Sequence, residues 1–119
     1  MKEYDDNYKR GKVVVYCWAS WCGPCVKQRP ILERCEKHLK GVTFMSADFS
    51  HGAPLKLPIP DADIIVLPTI VMFNDGQLMM FTRPDSIRRP YISGLHTSVR
   101  DIVKTIRNIY RQNGVELER

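Results

Sequence analysis

Cys22 and Cys25 are separated only by Gly23 and Pro24, within the stretch CWASWCGPCVKQRP at residues 17–30. Two thiols at this spacing have three readings. They cycle between dithiol and disulfide, they supply half of a zinc site, or they are redox-inactive packing around a helix start. Zinc would need two more ligands. Cys17 lies on the preceding apolar run and Cys35 on the apolar stripe of the following helix. Neither is well placed for that, and both read as small buried hydrophobes. His38, His51 and His96 are scattered and read as surface or capping residues.

The dithiol reading gains force at a strand-to-helix junction. Free N–H groups at a helix start stabilise an anion. Cys22 stands there, so it ionises more readily than a free cysteine with a pKa of about 8.5. Cys25, one turn further in, is shielded and has its thiol near Cys22. That order suits two steps: Cys22 attacks a disulfide, then Cys25 attacks the mixed disulfide and releases the reduced product. Gly23 permits close backbone approach, and Pro24 stiffens the turn and removes a donor. Trp21 offers a flat apolar surface for docking a peptide.

The elements that must hold this pair are legible on both sides. Val13 to Trp18 is apolar throughout, as a strand buried on both faces should be. After Ala19-Ser20-Trp21 a helix follows, with Pro24 in its first turn and Ile31, Leu32, Cys35 and Leu39 at helical spacing. Pro30 falls inside and should kink it, and Gly41 should end it. A second strand is expected at about Val42 to Ala47. Residues 50–63 hold three prolines and do not favour a long helix. Thr69 to Phe73, Asn74-Asp75-Gly76 and Gln77 to Thr82 predict an antiparallel hairpin. Residues 83–94 read as a basic, proline-broken loop, with Arg83, Arg88 and Arg89 in solvent. Thr97 or Ser98 should cap a last helix, with Val99, Ile102, Val103, Ile106, Ile109 and Tyr110 on one stripe. The expected architecture is α/β: a central mixed sheet of about four strands flanked by helices on both faces.

Trp21-Cys22-Gly23-Pro24-Cys25 is the active-site motif of thioredoxins, and the chain resembles that family over about residues 12–110. Cys17-Trp18-Ala19-Ser20 before the motif, Pro30 five residues after its second cysteine, Pro68-Thr69 before an apolar strand, the Asn74-Asp75-Gly76 turn and Gly94 carry the likeness further. The resemblance implies a thioredoxin-like fold and a redox-active Cys22–Cys25 disulfide, with Trp21, Gly23 and Pro24 as site support. It also implies a cis Pro68 facing the dithiol, and a Leu67 backbone that hydrogen-bonds an extended substrate chain.

Five features depart from the family pattern. Tyr16 stands where most members have a buried aspartate six residues before the first cysteine, and a phenol near pKa 10 is a poorer base. Phe44 or Met45 stands where a lysine is often found. Deprotonation of Cys25 is then expected to be slower, or to use water. The N-terminal segment is too short for a full first strand and helix, so that strand should be shortened or missing. Residues 50–63 replace a regular helix, and 83–94 is longer and more basic than usual.

Length and composition frame the function. The 119 residues fit one domain, with a short lead-in at 1–11 and a frayed tail at 114–119. Net charge is +5, spread along the chain, so nucleic acid is not an expected partner. The N-terminus MKEYDDNYKRGK has no apolar signal core, and no run approaches the ~18 apolar residues of a membrane span, so a cytoplasmic location is expected. The expected function is reduction of protein disulfides by a monomer without cofactor or metal, fed by a reductase as electron donor. The alternative is an adaptor of the same fold, with residues 50–63 and 83–94 contacting a partner protein.

Overall fold

The computed structural model describes residues 1–52, 54, 57, 66–82 and 88–118. Strand β1 (Lys2–Glu3) and a 3₁₀ turn (Asp6–Lys9) lead into β2 (Lys12–Trp18), α1 (Gly23–Glu36) and β3 (Val42–Asp48). Then come β4 (Thr69–Asn74), β5 (Gln77–Leu78), β6 (Phe81–Thr82), β7 (Arg88–Arg89), β8 (Tyr91–Ser93) and α2 (Val99–Gln112). β2 pairs parallel with β3 and antiparallel with β4, so it sits inside the sheet. Its valines are fully buried, which is why the run is apolar without alternation. β1 pairs parallel with β3 through Lys2 and Glu3, so the first strand is present in shortened form.

The sheet has six strands rather than four. The stretch read as one hairpin arm from Gln77 to Thr82 divides. Gln77 and Leu78 pair with β4, whereas Phe81 and Thr82 turn away to pair with Arg89 and Arg88. The stretch read as a loop contributes β8, which pairs with Thr69, Ile70 and Val71 along the β4 edge that β5 leaves open. Pro90 lies just before β8, where a missing N–H costs no ladder bond. Arg89 is not simply solvated: its guanidinium donates to the Tyr91 hydroxyl. The expectations for Ala53, Pro58, Pro60 to Asp63 and Arg83 lie outside the described residues.

Both α-helices pack on one face of the sheet. Leu32 and Cys35 from α1 and Ile102, Ile106, Ile109 and Tyr110 from α2 share a core with Val14, Tyr16, Phe44, Ile70 and Met72. Among the described residues, the opposite face is covered by Tyr8 of the 3₁₀ turn, Phe49 and Leu57 rather than by an α-helix. Helix α1 ends earlier than Gly41. Its last turn tightens through the His38 N–H to the Cys35 carbonyl and the Leu39 N–H to the Glu36 carbonyl. Gly41, at φ +77°, turns the chain into β3 instead. Among the described residues no helix is long and apolar enough to cross a membrane.

Candidate active site

The sheet brings its chemistry to one end. β2 hands over to α1 there, and because β4 runs antiparallel with Thr69 opposite Cys17, Pro68 arrives at the same end. Cys22 is the N-cap of α1 in extended conformation, with Gly23 and Pro24 opening the helix. Cys22 and Cys25 are joined by a disulfide, with Cα atoms 5.4 Å apart. Both are buried, Cys22 at 6% exposure and Cys25 at 3%, so the difference in shielding between them is small. An N-cap group can normally accept from the second or third helical N–H. Pro24 has none, so only the N–H of Cys25 remains, and no side-chain cap bond forms.

Trp21 lies at the surface, 67% exposed, and its indole N–H donates to the Ser50 carbonyl at 3.3 Å. Ser50 also accepts from the Ser20 N–H through its hydroxyl oxygen. That hydroxyl in turn donates to Asp48, whose carboxyl is held below its ordinary range by the Ser50 hydroxyl and N–H. This chain ties the segment before the dithiol to the end of β3. The Leu67–Pro68 peptide bond is cis. The Pro68 carbonyl accepts from the Gly94 N–H at 2.8 Å, which brings the 94–96 segment alongside. Among the described residues, the exposed large apolar side chains are Trp21, Val26, Val66 and Leu95. Each stands on a segment of this end of the sheet.

Tyr16, at the position where the family pattern calls for an acid, is fully buried under α1. Its hydroxyl donates to the Cys25 carbonyl at 2.5 Å. Burial pushes its pKa up to about 12, against a smaller pull from Arg29. It therefore serves the helix as a hydrogen-bond donor and stays protonated at neutral pH. Cys17 faces the opposite core from the dithiol, and Cys35 lies deeper under α1. Burial raises both thiols, Cys35 to about 11. Among the described residues no three His, Cys, Asp or Glu side chains gather to hold a metal.

Two side chains escaped the sequence reading. Gln28 is fully buried, and its amide both donates to the His96 carbonyl and accepts from the His96 N–H. The 25, 28, 32, 35 spacing of inward positions on α1 already marks it as core-facing. Arg29 places its guanidinium over the rings of Tyr16 and Trp18. No local sequence signal announces that seat, because it is assembled from two elements.

A family model described as Thioredoxin matches residues 1–88. A thioredoxin from Chlamydia trachomatis is 29% identical over 76 residues, covering 64% of this chain and 72% of that protein. One from Staphylococcus saprophyticus is 30% identical over 77 residues, covering 62% and 69%. One from Mycoplasmoides gallisepticum is 34% identical over 67 residues, covering 56% and 64%. The solved structure of a single-site mutant thioredoxin from Halobacterium salinarum superposes with a TM-score of 0.62 at 17% identity, covering 91% of this chain and 87% of that one. That likeness is one of fold.

Proposed function

The chain belongs to the thioredoxin family and is a thiol–disulfide oxidoreductase; from that premise we propose that it reduces disulfides in other proteins. The observation that carries this reading is the Cys22–Cys25 bond at the start of α1, with Cys22 as the N-cap. In the dithiol form the Cys22 thiolate attacks one sulfur of a substrate disulfide. A Cys22–substrate bond forms, the substrate bond breaks, and the departing thiolate takes a proton from water. Cys25 then attacks the Cys22 sulfur, closing the enzyme disulfide and releasing the second substrate thiol. Two electrons pass from enzyme to substrate, and a reductase or small dithiol restores them.

Protein substrates fit the surroundings. Trp21, Val26, Val66 and Leu95 give an apolar rim for docking a chain. The Leu67 backbone, which makes no hydrogen bond among the described residues, would pair with an extended peptide. Dithiothreitol-driven reduction of insulin tests the activity: Cys22→Ser should abolish it, and an unchanged rate in that variant defeats the proposal. A pulldown with Cys25→Ser, which cannot resolve mixed disulfides, tests the substrate class. Covalently trapped proteins support the reductase. Partners that bind without thiol dependence support the adaptor instead.

A further inference from the structure

Release of product requires Cys25 to lose its proton, yet Cys25 is buried, and burial disfavours a thiolate. Tyr16 beneath it is no base at neutral pH. A different device occupies the same ground. Arg29 follows Cys25 by four residues on α1, so the two share one face of the helix, about 5–6 Å apart at Cβ. Arg29 is half-buried, and its guanidinium carbon lies 5.3 Å from the Tyr16 ring centroid and 5.2 Å from that of Trp18. Tyr16 and Trp18 are two apart on β2 and therefore point to one face. They make a two-ring seat, and the Tyr16 hydroxyl bonded to the Cys25 carbonyl fixes that seat to the dithiol turn.

Among the described residues no carboxylate lies within salt-bridge distance of Arg29. Asp48, opposite Trp18 in the β2–β3 register, is exposed and engaged by Ser50. Among the described residues, Cys25 is bonded to Cys22, its carbonyl accepts from Tyr16 of β2, and Arg29 follows it on the same helix face. Cys17, next to Tyr16, belongs to the other face.

We propose that Arg29 is an electrostatic positioning residue for the second step: a fixed cation, seated on Tyr16 and Trp18, that favours the Cys25 thiolate without accepting its proton. The proton goes to water, the thiolate attacks the Cys22 sulfur, and the substrate leaves as a thiolate that water reprotonates. The role rests on the reductase reading, because only a resolving thiol needs this charge.

The test titrates Cys25 alone. In a Cys22→Ser background, the pH dependence of iodoacetamide alkylation is followed at Cys25 by mass spectrometry after chymotryptic cleavage at Trp18 and Trp21, which separates it from Cys17 and Cys35. Arg29→Met should raise the Cys25 pKa by about one unit, Arg29→Lys should largely restore it, and Arg29→Glu should raise it further. With both cysteines present, decay of a mixed disulfide at pH 7 should slow about three- to fourfold in Arg29→Met. The tenfold loss of thiolate is partly offset by the greater nucleophilicity of a more basic thiolate. Arg29→Gln accompanies Arg29→Met as a second neutral variant in case the latter fails to fold. A Cys25 titration that is unmoved in the folded neutral variant, or moved equally by Arg29→Lys, overturns the proposal. If the parent protein fails to reduce insulin, the reductase reading falls and the resolving role with it. A flat titration beside intact insulin reduction sinks only the role of Arg29.

Discussion

The two long helices are each 14 residues and pack on the same face of the sheet, yet they are built to different rules. Helix α2 obeys the local ones. Ser98 caps it by accepting from the Asp101 N–H, Asp101 lies in its first turn and Arg111 in its last. It buries Ile102, Ile106, Ile109 and Tyr110. Helix α1 breaks them. Its N-cap makes no side-chain hydrogen bond, its first turn has no acidic residue, Pro30 stands in its interior, and it buries Cys25, Gln28, Leu32 and Cys35. An acid or a capping oxygen at its start would compete for the N–H groups that favour a Cys22 anion, or repel that anion outright. The contrast teaches where stability was surrendered to chemistry: α2 anchors the sheet, and α1 presents a reactive pair.

Cutting into α2 should be costly to the fold and not to the chemistry. Ile106 is fully buried, so Ile106→Ala should lower stability by about 2–5 kcal/mol in urea unfolding, with insulin reduction per folded molecule unchanged. A comparable loss of activity per folded molecule would break the division of labour. Gln28→Leu comes next. It strips the His96 N–H and C=O of their partners and should cost about 1–3 kcal/mol by the same measurement. A neutral result would mean that the glutamine is not what docks α1 onto the 94–96 segment. Ser98→Ala should cost about 1 kcal/mol, the ordinary penalty for a lost N-cap.

The smallest effect separates the two buried tyrosines by pH. Burial raises Tyr16 to about 12 and holds Tyr110 above its ordinary value too, so both are neutral in the fold. A folded pKa above the unfolded value of about 10 means that stability is intact below pH 10 and declines as pH rises beyond it. Tyr16→Phe should flatten part of that alkaline decline, and an unaltered slope in thermal melts from about pH 9 to 11 would show that Tyr16 does not contribute.

Much of this architecture is legible in the order of residues alone. The dithiol at a helix start, the buried run of β2, the turn at Asn74-Asp75-Gly76 and the stripe of α2 each repeat a local pattern long enough to read. β8 is not legible, because a strand of three residues carries no periodicity, and of β1 only the shortening is legible. They exist because longer neighbours leave edges for them to join. The end of α1 misleads for a related reason: Leu39 keeps the helical spacing and is buried, but it packs from a turn. At the site, the cysteines and tryptophan follow from the motif, and Tyr16 stands out by position. The seat that Tyr16 and Trp18 offer Arg29 is invisible in the sequence, since it depends on how a helix face meets a strand.

The cross-link itself spans only three residues of sequence, inside one turn of α1. In the chain-entropy account a loop this small contributes about 2 kcal/mol, under half of what closing a loop of about 100 residues would give. It ties no distant segments together. Opening and closing it therefore shifts the thermodynamic balance of the whole chain modestly. A cross-link this local leaves the stability of the rest of the fold nearly independent of whether it is closed.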